Sequence, residues 1–307
     1  MKLAPIAVFV YNRPNHTYEV LKCLSENLLA SESELFIFSD EAKCASDSEN
    51  VIEVRKITQK FRSKFLKVNY IYNKKNKGMY NSLIEGLEFI FKSNDSVIFL
   101  EDDVLTSTKF LSFLNGCLEK YKNFENIFTV SAYNYPLEKL KLHKYIEDDI
   151  FTIQRYSSWG FAIWRDRWRS IIWDMKHYDK FILDRKLLKK YKQTGADKVK
   201  LLQNHLSGKN LSFGIILDLT MFLQKAFSIH PVHSFTNNIG NDGSGLNCFN
   251  ESLNKYNSEE LNEGEFILPL QPNCNDYIVS RFLNYQKKMH LNNLLKYYFK
   301  KLLRIYK

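Results

Sequence analysis

The sequence predicts an α/β fold in which a mainly parallel twisted sheet is flanked by helices. Three observations favour it. Strand-like and helix-like segments alternate up to about residue 133. The strand-like segments are short and almost continuously apolar, which is typical of strands buried on both faces. Polar residues follow them directly, at what would be the carboxyl ends of the strands.

Composition and periodicity predict the individual elements. The predicted strands are Ile6 to Tyr11, Glu34 to Ser39, Leu66 to Tyr72, Ser96 to Leu100 and Asn126 to Tyr133. The predicted helices are Asn15 to Ala30, a segment from Lys77, Tyr178 to Tyr191, Asp197 to Leu206 and Ile216 to Phe227. The polar region from Asn247 to Asn275 is predicted to be a loop.

We expect one domain over residues 1–275, because no linker rich in Pro, Gly or Ser divides the chain. Residues 276–307 are predicted to form a C-terminal amphipathic basic helix. Its last stretch, "HLNNLLKYYFKKLLRIYK", carries five Lys or Arg residues and no acid. Such a helix can lie on an anionic membrane surface, and it can equally pack on its own domain with a solvated basic face.

The composition of the 307 residues excludes several classes of protein. A hydrophobic share of 45% is too high for a disordered or fibrous chain. There is no run of about 18 uncharged apolar residues and no basic leader, so we expect a cytoplasmic protein, or one bound peripherally at the inner face of the cell membrane. The five cysteines lack a CxxC pair, which argues against disulfides or zinc. The net charge of +10 comes without a nucleic-acid-binding motif, so no nucleic-acid partner is expected.

Three adjacent acids, Glu101, Asp102 and Asp103, follow the predicted strand Ser96 to Leu100. Each raises the cost of ionising the next, so a compensating positive charge is expected. A divalent cation, Mn²⁺ or Mg²⁺, held by one or two carboxylates and by substrate phosphates would supply it. The alternative is a solvated turn, or the N-terminus of a helix that starts near Thr106.

Polar residues also end the other predicted strands. Asn12 and Arg13 follow the first strand, Asp40 follows the second, and "NKKNKGM" from Asn73 to Met79 follows the third. Ligands bind beyond the carboxyl ends of parallel strands, so these residues are predicted to share one binding rim. Asp40 suits a ribose or base there, and it suits a helix cap equally well.

Six short motifs occur in order: "PIAVFVYNRP", "FSDEAK", "NKGM", "FLEDDV", "SSWGFAIWRDRW" and "NNIGNDGSGLNC". Together they resemble bacterial family 2-like glycosyltransferases of the GT-A fold, over roughly residues 4–250. In that family "EDD" would be the DxD-type motif. The resemblance implies a nucleotide-diphosphate sugar as donor and a saccharide or lipid-linked saccharide as acceptor.

The resemblance also implies roles for the rim residues. Asn12 and Arg13 would lie by the nucleotide, and Asp40 would hydrogen-bond its base. Backbone amides around Asn76 and Gly78 would help to frame the donor.

The resemblance further implies roles for the acids and for the tryptophan segment. Glu101 and Asp102 would face ribose or sugar hydroxyls, and Asp103 would be the main metal ligand. Trp159 and Gly160 would form the loop between donor and acceptor sugars, where an aromatic face can stack on sugar C–H groups. The other three tryptophans are predicted to be core residues.

One departure from the family pattern concerns the metal. A His commonly follows the glycine segment, but Asn247 stands at this position. His230 and His233 could replace it, although a histidine beside proline is usually structural.

A second departure concerns the general base. The acid expected after "SGK" is missing, and Asp218 is the nearest acid, with apolar neighbours that could raise its pKa. Asp218 is therefore the predicted catalytic base, with Asp174 and Asp242 as alternatives. A core-edge acid paired with Lys or Arg is the competing interpretation of Asp218.

Three functions follow from these observations. The favoured one is a metal-dependent, inverting glycosyltransferase of bacterial surface polysaccharide biosynthesis. A nucleotidyltransferase acting on sugar phosphates is the second, but it would be expected to carry a glycine-rich signature after the first strand, and "YNRPN" has no glycine. A catalytically inactive carbohydrate-binding homologue is the third.

Overall fold

The computed structural model describes residues 2–142, 149–244, 256–258 and 260–305. It confirms the predicted fold class, a mixed α/β fold with a large and mostly parallel sheet flanked by helices. The main sheet contains β1 Ile6–Val10, β2 Glu34–Ser39, β3 Lys67–Tyr72, β4 Ser96–Glu101, β6 Ile127–Ser131, β7 Ile150–Ile153, β8 Phe161–Trp164 and β9 Phe227–Pro231. A separate antiparallel ribbon pairs β5 Val104–Thr106 with β10 Thr236–Asn238.

Helices connect and cover these strands. They are α1 Pro14–Ser25, α2 Ser48–Lys60, α3 Gly78–Ile90, α4 Phe110–Tyr121, α5 Leu137–Leu140, α6 Arg165–Arg169, α7 Asp179–Leu183, α8 Arg185–Gln193, α9 Lys198–Leu206, α10 Phe213–Leu223 and α11 Asp276–Ile305. Short 3₁₀ turns cover Ala30–Glu32, Ala45–Asp47, Arg62–Lys64 and Met175–Tyr178.

The sheet order is β3-β2-β1-β4-β8-β6-β9-β7. Its first four strands run parallel, and β8 then lies antiparallel between β4 and β6. The pair β6 and β9 is parallel again, and β7 closes the edge as an antiparallel strand. Because β1 and β4 are neighbours, the residues that follow these two strands meet at one rim.

Both faces of the sheet are buried, as the apolar runs predicted. Alternate residues of β1 point to opposite sides: Ile6 and Val8 belong to the core beneath α1, α2 and α4, and Ala7 and Phe9 to the core beneath α3 and α10. Proline at the first position of α1 fixes a helical φ where its missing N–H is not needed. The strand ends are therefore held rigidly from both sides.

Four sequence predictions differ from the structure. The helix predicted from Ile216 to Phe227 is observed as Phe213–Leu223, and Phe227 begins β9. The segment after the acids forms β5 rather than a helix from Thr106, because Val104–Thr106 pairs with Thr236–Asn238, and α4 begins only at Phe110. The helix predicted from Asn15 to Ala30 ends at Ser25. The helix predicted from Tyr178 to Tyr191 is two helices, because the Asp184 carboxylate accepts the amides of Lys186 and Leu187 and starts α8.

The predicted loop from Asn247 to Asn275 lies partly outside the described residues. Its described parts, residues 256–258 and 260–275, contain no helix or strand. Within the described chain no helix is long and apolar enough to cross a membrane.

The first half of α11 is part of the folded core. Ile278 and Phe282 are buried against Leu140, Phe151 and Val232. The more distal basic side chains lie beyond those described, so membrane association of the tail stays a prediction.

Candidate functional site

The acidic triplet lies at the rim where β1 and β4 end. Glu101 is the last residue of β4 and is the register partner of Phe9 on β1. Asp102 and Asp103 form the turn from β4 into β5, and both are buried. The structure thus places all three acids at the carboxyl end of the parallel strands, where the sequence predicted a ligand site.

Arg13 supplies the positive charge that the triplet requires. Its Nη2 lies 2.9 Å from Oδ2 of Asp103 and also contacts Oδ1 of Asp102. Both contacts use the same nitrogen, and a guanidinium carries five N–H donors. Among the described residues Nε and Nη1 have no hydrogen-bond partner, so they are available to an anionic ligand.

The segment after β10 closes around Asp103. Oδ1 of Asp103 accepts a hydrogen bond from Nδ2 of Asn238 at 3.0 Å, and its backbone oxygen accepts the amide of Ile239 at 2.8 Å. A Cβ at Gly240 would lie 2.8 Å from Cγ of Asp103 and closer still to its Oδ2. Gly240 therefore allows the backbone to approach the carboxylate.

Burial and repulsion between the three acids raise the pKa of Glu101. Burial, together with the charges of Asp103 and Asp102, raises the pKa of Glu101 well above its ordinary value. Burial also raises the pKa of Asp102, and Arg13 opposes this increase. Glu101 is therefore the acid that most resists ionisation, and a hydroxyl or cationic ligand nearby would relieve it.

Arg13 competes with any divalent cation for Asp103. Oδ1 of Asp103 accepts a hydrogen bond from Asn238, and Oδ2 faces the Arg13 guanidinium, which cannot share a position with a metal ion. No group of three or more His, Cys, Asp or Glu side chains suited to a metal occurs among the described residues. A cation held by Asp103 would require Arg13 to leave that carboxylate.

His16 and Asp242 connect α1 to the glycine-containing segment. His16 Nε2 lies 3.2 Å from Oδ2 of Asp242, and Asp242 Oδ1 accepts the amide of Ser244 at 2.9 Å. His16 follows Arg13 by three residues, so both lie on the same face at the start of α1. Asp242, an alternative base from the sequence, thus lies at the rim.

The Asp40 carboxylate caps α3. Its oxygens accept the amides of Lys77 at 3.0 Å and Gly78 at 2.8 Å, and also accept Nδ2 of Asn73 at 3.0 Å and the amide of Glu41 at 3.0 Å. These donors use the acceptor capacity that a nucleotide base would need. The contacts favour the helix-cap interpretation of Asp40, and the amide of Gly78 is directed to this cap.

Asn76 and Asn12 lie at the same rim as Asp40. Asn76 donates to the backbone oxygen of Glu41 at 2.6 Å, and Asn12 donates to Oδ1 of Asp47 at 2.8 Å. The hydroxyl of Tyr11 donates to the other oxygen of Asp47 at 2.8 Å. Tyr11, Asn12 and Asp47 therefore form a polar cluster beside Arg13.

Trp159 and Gly160 border the ribbon next to the acids. The backbone oxygen of Trp159 accepts the hydroxyl of Thr236 at 2.8 Å, and its indole packs edge-on against Tyr133 at 4.5 Å between ring centroids. Gly160 has φ +79°, and a Cβ there would lie 2.8 Å from the ring of Phe110. The partly buried Trp159 is positioned by these contacts.

Of the three tryptophans predicted to be core residues, two are buried: Trp164 and Trp168. Trp173 is only partly buried and packs against Trp168, with 5.0 Å between ring centroids.

Asp218 lies inside a buried charge network. Its Oδ1 accepts the amide of Tyr156 at 2.6 Å and lies 3.4 Å from Nζ of Lys198. Burial raises the pKa of Asp218, and burial lowers the pKa of Lys198 to about 8. The contacts favour the paired-acid interpretation over that of a base facing the rim.

The network extends from Asp218 to the C-terminal helix. Arg155 and Asp197 form a two-point ion pair at 3.0 and 2.9 Å, and Gln286 of α11 also donates to Asp197. Burial acts to raise the pKa of Asp197, but Arg155 holds it well below its usual range.

The histidines suggested as metal ligands lie elsewhere. His230 is buried in β9, with Nδ1 2.9 Å from the oxygen of Tyr133 and Nε2 3.0 Å from that of Arg155. His233 is exposed. Asn247 lies outside the described residues, and Asp174 is an exposed acid whose Oδ1 accepts the amide of Lys176.

Four site residues were missed by sequence reasoning: His16, Asp47, Asn238 and Gly240. His16 could have been found from its spacing to Arg13, and Gly240 from its place in "NNIGNDG". Asn238 lies in the quoted motif "NNIGNDGSGLNC", which gave it no role of its own, and Asp47 carries no local signal because it reaches the rim only through the tertiary fold.

Comparisons with known proteins give similarity to solved structures alone; no family model and no curated protein matches the chain. The TarS fragment 1-349 from S. aureus is 14% identical with a TM-score of 0.36, and covers 53% of this chain and 47% of its own. The mannosyltransferase PcManGT from Pyrobaculum calidifontis, in complex with GDP-Man and Mn²⁺, is 12% identical with a TM-score of 0.36. The match covers 53% of this chain and 44% of the mannosyltransferase. S. aureus TarS is 14% identical with a TM-score of 0.36, and the match covers 52% of this chain and 28% of TarS. The chain therefore spans less than half the length of each of these proteins.

Proposed function

We propose that the protein is a GT-A type glycosyltransferase that moves a sugar from a nucleotide-diphosphate sugar to a saccharide or lipid-linked saccharide in bacterial surface polysaccharide biosynthesis. One observation carries the proposal. Arg13 pairs through Nη2 with Asp102 and Asp103 where β1 and β4 end, and its other N–H donors can bind an anion. A diphosphate leaving group is the anion that such a position suits.

The neighbouring side chains suit the rest of the donor. The cluster of Tyr11, Asn12 and Asp47 offers a ring, an amide and a carboxylate beside Arg13, where a nucleoside could bind. Glu101 and Asp102 offer carboxyl oxygens that can accept ribose or sugar hydroxyls. Trp159 offers an aromatic face for a sugar ring.

Transfer with inversion requires a carboxylate that takes the proton from the acceptor hydroxyl. Asp218 stays a candidate from the sequence, although it is engaged with Lys198 and Tyr156. Asp242 is the alternative that lies at the rim beside His16. Asp218→Asn and Asp242→Asn separate the two, because loss of the base lowers kcat by roughly a hundredfold or more.

A bound Mn²⁺ or Mg²⁺ would be held by Asp103, where it would offset the charge of the leaving diphosphate. Arg13 lies against that carboxylate, so binding of a cation at Asp103 depends on movement of Arg13. Titration of Mn²⁺ into the protein with and without a nucleoside diphosphate measures whether the two ligands bind together.

The test is an assay of nucleoside diphosphate release from a panel of nucleotide sugars, with and without acceptor. Asp103→Asn keeps the shape of the side chain and removes its charge, so we expect release to be abolished while the thermal unfolding transition persists. Asp95→Asn is the matched control, because Asp95 is exposed and pairs with Arg165. Full activity of Asp103→Asn would exclude the proposed site.

The same assay separates the other functions. Release of pyrophosphate in place of a nucleoside diphosphate would indicate a nucleotidyltransferase. Binding of nucleotide sugars without any release would indicate a carbohydrate-binding protein.

A further inference from the structure

The surface of α8 is unusually basic. Residues 180–193, "KFILDRKLLKKYKQ", contain six Lys or Arg residues and one acid, Asp184. The carboxylate of Asp184 is used to cap α8. Positive charge on this surface is therefore almost uncompensated.

The cations of α8 lie on one side of the helix. At 100° per residue, Arg185, Lys186, Lys189, Lys190 and Lys192 occupy an arc of about 160°. All five are exposed, while Tyr191 is buried and the two leucines of the helix pack on the core. Packing of the apolar side thus fixes the direction in which the charges point.

These cations also lack the acids that accompany other surface lysines. Elsewhere on the surface Lys77 pairs with Glu85 and Lys122 with Glu119. In the part of the chain that the structure describes, no ion pair forms on α8. A partner that brings negative charge would encounter this face without first having to displace acids.

An exposed apolar residue stands beside the charged arc. Leu183, the last residue of α7, leaves 81% of its surface in water, directly before the cap of α8. An apolar side chain bordered by cations matches the bilayer interface, where anionic head groups lie above apolar tails. A soluble polyanion would satisfy the lysines and leave Leu183 in water.

We propose that α8, together with Leu183, docks the protein on an anionic membrane surface. This inference does not depend on the proposed transferase activity. It also concerns a surface separate from the basic tail. The turn after α8 meets α11 through Gln286, which donates to Asp197, so α8 is joined structurally to the helix that leads to the tail.

The test uses the full chain and sedimentation with large unilamellar vesicles. Vesicles of phosphatidylcholine alone are compared with a mixture that contains about one third phosphatidylglycerol. We expect binding to the anionic vesicles, a loss of binding as salt is raised, and no binding to the neutral ones. Binding to neutral vesicles with equal affinity would overturn the proposal.

Two variants with matched controls locate the surface. Lys186→Gln/Lys189→Gln/Lys190→Gln retains helix propensity and is expected to lower the partition constant by roughly tenfold to a hundredfold. Its control is Lys22→Gln/Lys60→Gln/Lys64→Gln, which removes the same number of charges. These three exposed lysines lie in α1, in α2 and in the turn after α2, and both helices cover the opposite face of the sheet.

Leu183→Ser tests the apolar contact and is expected to lower binding several-fold. Its control is Leu66→Ser, because Leu66 is also exposed, at 70%.

Circular dichroism first verifies that each variant is folded. Wild-type binding by the α8 triple variant would refute the inference and assign binding to the tail. Unchanged binding by Leu183→Ser, with full competition by dextran sulfate, would replace the membrane by a soluble polyanion and also refute it.

Discussion

Arg13 and Asp103 lie 2.9 Å apart, Nη2 to Oδ2, although they are separated by most of the first α/β half of the chain. The same nitrogen also contacts Asp102, so one guanidinium is shared by two adjacent buried carboxylates and offsets part of their charge. The other N–H groups of Arg13 are not used by these acids.

Removal of Arg13 is expected to destabilise the protein. Arg13→Met leaves Asp102 and Asp103 buried without their partner, which costs about 3 kcal/mol of the free energy of unfolding. Urea denaturation measures this loss. Arg165→Met, which breaks an exposed pair with Asp95, is the control and should cost less than about 1 kcal/mol. Equal losses in the two variants would contradict the importance of the Arg13 pairs.

Gly240→Ala is expected to displace the Asp103 carboxylate by steric contact. The new Cβ would lie 2.8 Å from Cγ of Asp103, so either the backbone or the carboxylate must move, at a cost of about 1 to 3 kcal/mol. Ligand affinity should fall along with stability. Gly264→Ala, where the nearest atom is 3.4 Å away, is the control for which thermal unfolding should hardly change.

Asp40 offers a test between its two interpretations. If it is a helix cap, Asp40→Ala lowers the free energy of unfolding by about 1 to 2 kcal/mol and leaves the affinity of the folded protein for nucleoside diphosphates unchanged. Calorimetry at a temperature well below the transition measures that affinity. A tenfold weaker affinity with unchanged stability would instead restore the predicted contact with the base.

His230 predicts a pH dependence of stability. Burial lowers its pKa from 6.5 to about 4, so the imidazole is neutral in the folded protein while the unfolded chain takes up a proton below pH 6.5. Stability is therefore fully present above pH 6.5 and is lost as pH falls toward 4, by about 3 kcal/mol at most. His230→Gln should flatten this part of the profile in denaturant titrations. His233→Gln, at an exposed position, should leave the slope as in the wild type.

The parallel half of the fold was predictable because each of its strands is a short apolar run that ends in polar residues. The range Glu34–Ser39 was predicted to the residue. The strands β7 to β10 were not predicted. In "FAIW" the apolar pattern suits core packing as well as a strand, and its antiparallel position between β4 and β6 depends on partners distant in sequence.

The site was predictable where one segment carries the whole pattern, as in Glu101 to Asp103. A positive charge beside this triplet was expected, and part of it comes from Arg13. No spacing rule connects these residues, because their proximity follows from the sheet order that makes β1 and β4 neighbours. Asn238 reaches Asp103 for a similar reason, through pairing of β5 with β10.

The seating of the last helix against Phe151 and Val232 has a practical consequence for anyone who shortens the polypeptide. Truncation after residue 275 would remove Ile278 and Phe282 from their apolar cluster and would remove Gln286, which donates to Asp197. The shortened protein should therefore be prone to aggregate. Truncation after Leu291 would keep all of these contacts and remove only the apolar, lysine-rich end.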